Sequence, residues 1–358
     1  MASALLRNCI NALKNHTRIP FSPAELVPLK VREATHVTKP SLVQPCTTTA
    51  ERLMMNSQNS PLPDFKIDEY RTMKANQINK ALDEAVPLQH PTLLHEAMRY
   101  TLLAGGKRVF GTLCIASCEL VGGNESVGMP LACAAEMLVT MAVIQDDLPC
   151  LDNDDFRRGK PANHKVFGEA TAVLACQALL CLAIEHLATK TKVVSTERLL
   201  RAIVEICSAA GPEGAAAGQM MDINSEGKEV SLSELESIHR HKCGKFIEAS
   251  IVSGVLVGGG NEEELQRLRK YGRCVGLAYQ VWDDIIDTTG SPVQDMGKKP
   301  GRDLLRDKAT YPKIMGIDEA KNYARELVAE ANKELAYFDS SKVAPLHHMA
   351  NFIVSRPY

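Results

Sequence analysis

From Asp64 onward, apolar positions recur at helical spacing. Tyr70, Met73, Ile78, Leu82 and Val86 fall three to five residues apart and predict one amphipathic helix. Leu93, Leu94, Ala97, Met98, Thr101 and Leu102 predict a second, stopped by Gly105-Gly106. A short third helix runs from Leu113 to Val121 and ends at Gly122-Gly123. Pro130 is expected to open a long apolar helix through Ile144, because proline is well tolerated in a first turn. Further helices are predicted around 170–189, 196–210, 213–224, 232–258, 261–288 and 316–335, punctuated by glycine, proline or charge. Nothing alternates with period two for long, and no hairpin signal stands out. The pattern predicts an all-α bundle of about ten helices in one domain, residues 61–358, without solenoid repeats.

Composition supports that class. The chain is 45% hydrophobic but only 5% aromatic. Its apolar mass is Ala, Leu, Val, Ile and Met, which suits packed helices better than a β-sandwich. Lys+Arg 41 against Asp+Glu 43 leaves a formal net charge of -2. That offers no general attraction to nucleic acid or an anionic membrane, so any phosphate binding has to be local. The 11 cysteines sit inside apolar helical patterns and read as small buried hydrophobes in a reducing compartment. The longest apolar run, Ala172 to Ala188, contains Gln177, Glu185 and His186 and predicts a buried helix rather than a membrane span. Residues 1–60 differ from the rest. Arg7, Lys14, Arg18, Lys30, Arg32 and Lys39 outnumber the acids, with Thr47-Thr48-Thr49 and several prolines among them. This is the signature of an organelle transit peptide, with a plain disordered arm as the alternative.

The chemistry concentrates in two acidic clusters at the ends of apolar helices: Asp146-Asp147-Leu148-Pro149-Cys150-Leu151-Asp152 and Asp283-Asp284-Ile285-Ile286-Asp287. Ionised carboxylates are costly in such places unless positive charge sits between them. A hard divalent cation such as Mg²⁺ is usually held by a few carboxylates together with substrate phosphates. The expectation is that the clusters face each other across a cavity and clamp a diphosphate through Mg²⁺. Asp283 and Asp287 share one helical face. Pro149 interrupts the other helix, and a kink or bulge is needed to bring Asp152 back beside Asp146. Cations surround both clusters. Arg157 and Arg158 supply bidentate phosphate donors. Gly105-Gly106-Lys107-Arg108, His239-Arg240-His241-Lys242, the stretch Gly297-Lys298-Lys299-Pro300-Gly301-Arg302-Asp303, and Asp307-Lys308 add more. Each alone is ordinary surface; together they match two diphosphates.

These stretches, with HEAMRYTLLAGGKRV, AAAGQMMDINSEG, YQVWDDIID and DKATYPKIMG, resemble the plant trans-type isoprenyl diphosphate synthases, geranylgeranyl diphosphate synthases in particular. The resemblance covers the chain from about residue 64 to its end. It implies an isoprenoid-synthase-type helical bundle with a central cavity, a homodimer or a heterodimer with a related subunit, and a plastid address, with the mitochondrion as alternative. It implies condensation of isopentenyl diphosphate with dimethylallyl, geranyl or farnesyl diphosphate. Asp146, Asp147, Asp152, Asp283 and Asp287 would be catalytic, with Asp146, Asp152, Asp283 and Asp287 as metal ligands. Arg157, Lys242, Cys243, Gln280, Lys298 and Lys308 would line the allylic diphosphate, and Lys107 and Arg158 would grip isopentenyl diphosphate. Met141 and Ala142, one turn before Asp146, would line the chain-length pocket.

The chain also departs from that family. Phe110 and Gly111 stand where the family has Arg-Pro, Val139 and Gln145 replace histidines, Cys243 replaces a threonine and Gln177 an aspartate. The isopentenyl half thus lacks two polar contacts, which opens an alternative: a weakly active or regulatory subunit of a heteromeric synthase. Cys114 and Cys118 share a helix face; relatives use Cys-x-x-x-Cys between unlike subunits, with core packing the plainer role. A terpene cyclase is disfavoured because the second cluster is again Asp-Asp-x-x-Asp rather than an Asn/Ser/Glu triad.

Overall fold

The computed structural model describes residues 65–290 and 307–356. The expected N-terminal arm, residues 1–60, and the basic stretch Gly297–Asp303 with Lys298 lie outside the described residues. Within them the chain is helical: α1 Ile67–Ala85, α2 Thr92–Leu102, α3 Val109–Leu120, α4 Glu125–Asp146, α5 Asn163–Phe167, α6 Glu169–Lys190, α7 Thr196–Ala210, α8 Ala215–Ser225, α9 Leu232–His239, α10 Lys245–Gly258, α11 Glu262–Thr289, α12 Tyr311–Met315, α13 Ile317–Leu335 and α14 Ala344–Ile353. The all-α expectation holds.

Helix α10 is the centre of the bundle. It packs against α3, α7, α11 and α4 and is buried along almost its whole length. Small residues permit the approach. A Cβ on Gly254 would lie 2.4 Å from the Cys114 carbonyl oxygen and 2.2 Å from the Ser117 hydroxyl of α3. Cys114 and Cys118 are both buried, donating to the carbonyls of Gly128 (3.8 Å) and Asn124 (3.6 Å). Both belong to the packed core.

Four details differ from the expected pattern. Helix α4 begins at Glu125, not at Pro130, because Asn124 caps it by accepting from the Val127 N–H. Pro130 is carried inside the helix. The predicted 232–258 helix is interrupted by one π-helical turn, Arg240–Gly244. A two-residue antiparallel ladder pairs Phe156 with Pro161 and Arg157 with Lys160. Its loop, Arg158-Gly159, has positive φ at both residues (53° and 72°), the geometry of a tight hairpin turn. Finally, α5, α12 and α14 were not legible as periodic runs.

Helices α4 and α6 are each long and apolar enough to cross a membrane by length and composition. Helix α4 is a packed core helix, 67% of its apolar window being buried. Helix α6 is buried over only 28% of its window and turns Val173 and Leu174 outward.

A buried ion pair fixes the entry to α3. Arg108 adopts the left-handed conformation and reaches Glu136 of α4 at 3.2 Å, Asn79 of α1 at 2.8 Å and the Leu102 carbonyl at 2.5 Å. The Gly111 N–H donates to the other Glu136 oxygen at 3.0 Å, a bond that a proline at this position does not make. Removing one member of a buried pair leaves the other uncompensated. Glu136→Ala is therefore expected to cost about 3–5 kcal/mol, read as a lower denaturation midpoint; an unchanged midpoint contradicts this account.

Candidate active site: two aspartate clusters and their cations

The first cluster begins where α4 ends. The Asp152 N–H bonds the Asp146 carbonyl at 2.9 Å, Asn153 N–H the Leu148 carbonyl at 3.0 Å, and Asp154 N–H the Asp147 carbonyl at 3.2 Å. These bonds loop out Pro149-Cys150 and return Asp152 to the side of Asp146, the bulge the sequence demanded. The carboxylates then diverge. Asp147 turns inward, fully buried, and accepts from Arg157 Nε at 2.8 and 3.1 Å. Arg157 also reaches Asp154 at 3.2 Å. Burial works against the Arg157 charge, but Asp147, Asp146 and Asp152 outweigh it and raise its pKa. Asp146 meets Gln219 Nε2 at 2.9 Å and Lys242 Nζ at 3.3 Å through one oxygen, while its other oxygen lies 3.8 Å from Arg157.

Lys242 and Lys308 bracket a further carboxylate. Asp222 of α8 accepts from Lys242 at 2.7 Å and from Lys308 at 2.9 Å. Lys308 also reaches Asp152 at 3.1 Å. Burial alone would raise the Asp222 pKa, but the two ammonium groups hold it below the ordinary carboxylate range. For Lys242 burial pulls down and Asp146, Asp222 and Asp152 push up, with a net rise. Lys308 balances burial and Lys242 against Asp222 and Asp152, again with a net rise. Both lysines are thus held charged.

The π turn Arg240–Gly244 brings Lys242 here, and Gly218 allows α8 to seat on it. A Cβ on Gly218 would lie 2.2 Å from the Lys242 backbone nitrogen. Gln219 and Asp222 were missed as site residues in the sequence. The signal was an i,i+3 polar pair behind the small run Ala215-Ala216-Ala217-Gly218.

The second cluster lies on the last turns of α11. Asp284 is buried and accepts the Tyr311 N–H at 3.1 Å, so it anchors α12. Asp283 pairs with Arg356 near the C-terminus. Asp287 follows on the same face as Asp283, and Gln280, buried, lies one turn before. Cys243 follows Lys242 on the π turn. Its thiol is pushed up to about 12, first by burial, then by Asp283 from one cluster and Asp146 from the other, against the opposing pull of Lys242.

The residues expected for the isopentenyl half lie around the loop before α3. The Arg158 guanidinium lies on Gly106, where a Cβ would meet its Cζ at 3.1 Å, and donates to the Gly105 carbonyl at 2.6 Å. Lys107 is lowered to about 8, first by burial and then by the nearby Arg356 charge. The Phe110 ring lies tilted at 53° to that of Tyr279, with centroids 6.2 Å apart. Met141 is buried and its carbonyl accepts from the Cys176 thiol of α6 at 3.5 Å; Ala142 beside it is half-buried.

The donor chemistry around both clusters is carboxylate oxygen, which fits a hard cation such as Mg²⁺. Among the described residues no three carboxylates, imidazoles or thiols gather tightly enough to enclose an ion unaided. Such an ion would take one or two carboxylates from a cluster and complete its shell with phosphate and water.

A helical bundle with two aspartate clusters and cations set against the first is the arrangement of a prenyltransferase. The chain belongs to the polyprenyl synthetase family, whose model matches residues 91–343. It is 54% identical over 321 residues to the Arabidopsis thaliana heterodimeric geranylgeranyl pyrophosphate synthase large subunit 1, chloroplastic, covering 88% of this chain and 85% of that one. It is 55% identical over 294 residues to the Catharanthus roseus chloroplastic geranylgeranyl pyrophosphate synthase, covering 82% of each. The crystal structure of geranylgeranyl pyrophosphate synthetase from Pyrococcus horikoshii superposes with a TM-score of 0.70 at 28% identity, over 81% of this chain and 99% of that one.

Asp222→Asn keeps the shape of the Lys242–Lys308 bridge but removes its charge. Charge-assisted bonds contribute roughly 1.5–3 kcal/mol each. The variant is expected to lose about 10- to 100-fold in kcat/KM for the allylic substrate. Unchanged kinetics would mean the bridge has no part in the site.

Proposed function

We propose that the protein is a geranylgeranyl diphosphate synthase. It condenses isopentenyl diphosphate with dimethylallyl, geranyl or farnesyl diphosphate. The observation that carries this reading is the arrangement of Lys242, Lys308, Asp222 and Asp146 at one cluster, with Arg158 seated on the glycine turn that precedes Lys107.

Asp146, Asp152, Asp283 and Asp287 would hold Mg²⁺. When bound, the ion neutralises charge gathering on the departing diphosphate. Arg157, Lys242, Gln280, Lys308 and Lys298 grip the allylic diphosphate, and Cys243 lies against it. Asp147 holds Arg157 in place. The allylic C–O bond breaks, giving an allylic cation and diphosphate. The isopentenyl double bond attacks C1 of the cation, a new C–C bond forms, and diphosphate takes the proton from the resulting tertiary cation. Apolar walls that include Met141 keep water from quenching the cation. The small Ala142 leaves room for a chain of twenty carbons.

A second reading has an observation behind it: the chain acts as one subunit of a heterodimer. It resembles an Arabidopsis heterodimeric large subunit, and α6 carries an outward apolar face through Val173 and Leu174. The dimer, homomeric or heteromeric, forms on that face. Residues 1–60 are a plastid transit peptide, in line with chloroplastic relatives.

Three outcomes follow. Purified protein with Mg²⁺, farnesyl diphosphate and labelled isopentenyl diphosphate yields a C20 product; none at saturating substrate sinks the enzyme reading. Ala142→Phe shifts product toward shorter chains, and an unchanged product excludes the pocket. Lys107 is charged below about pH 8 and neutral above it. Only the cation binds phosphate, so isopentenyl diphosphate affinity falls as pH rises through about 8. Lys107→Arg removes that fall; a pH profile identical in both proteins contradicts it.

A further inference from the structure

Two aromatic rings meet beside the lysines of the first cluster. His239 is the last residue of α9, three positions before Lys242. Tyr311 opens α12, three positions after Lys308. Their ring centroids are 5.5 Å apart and the planes are tilted by 58°, the geometry of a packed aromatic pair. Both side chains are buried, Tyr311 completely. The Tyr311 hydroxyl and the His239 Nδ1 have no hydrogen-bond partner among the described residues. The pair therefore meets by ring packing, not by a hydrogen bond.

Each ring is fixed to a different part of the bundle. Tyr311 belongs to a small core with Leu235, Leu277, Val281 and Ile285, and its N–H donates to Asp284 at 3.1 Å. Its ring also lies 5.9 Å from that of Tyr323 on α13. The five-residue α12 is too short to be rigid alone, so this anchor sets where the preceding Lys308 stands. On the other side, the π turn Arg240–Gly244 begins immediately after His239, so the place where α9 stops sets the direction of Lys242. Between the two segments lies Asp222, 2.7 Å from Lys242 and 2.9 Å from Lys308. The imidazole is close enough to feel all three charges. Burial pushes it down to about 4, with Asp222 pulling it up and the two lysines pushing it down further. It is neutral near pH 7 and adds no third cation to the bridge.

We propose that the His239–Tyr311 ring contact is a positioning element: it sets the spacing of Lys242 and Lys308 across Asp222, and through that spacing the grip on the allylic diphosphate. The proposal rests on the prenyltransferase reading above, in which both ammonium groups meet that diphosphate. Point charges carried on flexible four-carbon stems hold a pattern only if their backbones are held. Here the two backbones belong to segments far apart in sequence, and the ring pair joins them within three residues of each lysine. The rings act through the lysines rather than on the substrate.

The test is calorimetric and uses the full chain with Mg²⁺. One ligand is farnesyl thiodiphosphate, an allylic analogue that does not ionise readily. The other is isopentenyl diphosphate, titrated with that analogue saturating. His239→Ala is expected to weaken farnesyl thiodiphosphate at least about tenfold and to leave isopentenyl diphosphate within about twofold. Tyr311→Phe keeps the ring and deletes only an unpartnered hydroxyl, so it is expected to hold farnesyl thiodiphosphate within about twofold. A double-mutant cycle separates positioning from plain destabilisation. With Lys308→Gln there is no spacing left to set, so adding His239→Ala is expected to cost less than about twofold more. Losses that multiply in the double variant, unchanged farnesyl thiodiphosphate affinity in His239→Ala, or an equal loss for both ligands overturns the proposal. If His239→Ala does not fold, Tyr311→Leu, which removes the flat ring, decides: selective weakening of farnesyl thiodiphosphate supports the proposal, and unaltered binding overturns it. Failure of the prenyltransferase reading has a different signature, in which the unaltered protein binds neither ligand.

Discussion

The structure depends on balancing carboxylate charge at one end of an apolar bundle. Asp146, Asp147, Asp152, Asp154 and Asp222 converge where burial makes an unpaired negative charge costly. Arg157, Lys242 and Lys308 answer them, and each cation touches more than one acid. The π turn under Lys242, the glycine that seats α8 and the bulge after α4 are all local departures from ideal helix. Each aims a charge that a straight helix would leave pointing elsewhere. Departures of this kind cluster at functional sites.

The same logic divides the aspartates by role. Asp147 and Asp284 sit in the middle of their clusters and face inward, one to Arg157 and the other to the backbone of α12. Their neighbours Asp146, Asp152 and Asp283 meet side-chain cations. In each doublet the inner carboxylate thus fastens the framework. The loop before α3 and the hairpin are held differently: by glycines at positive φ, by the buried Arg108 on Glu136 and by Arg158 on the Gly105 carbonyl.

Much of this was legible in sequence because it is local. Helical spacing carried the bundle, and the aspartate doublets with Arg157, Lys242 and Lys308 marked the first cluster. What stayed hidden depends on long-range contact. Gln219 and Asp222 look like ordinary polar residues until α8 seats on the π turn. Arg356 looks like a solvated terminal residue until α11 buries it. The hairpin escaped notice because Arg158, not asparagine or glycine, takes its first positive-φ position. Pro130 misled because the Asn124 cap starts α4 before it.

The central claim is that the two clusters act together as a metal-dependent clamp on an allylic diphosphate. The most direct measurement is the affinity of farnesyl thiodiphosphate with and without Mg²⁺, in the unaltered protein and in Asp146→Asn and Asp283→Asn. Tight binding only with Mg²⁺, weakened by either substitution, is the predicted result. Equal affinity with and without the metal, or indifference to one of the two substitutions, would contradict a clamp built from both clusters.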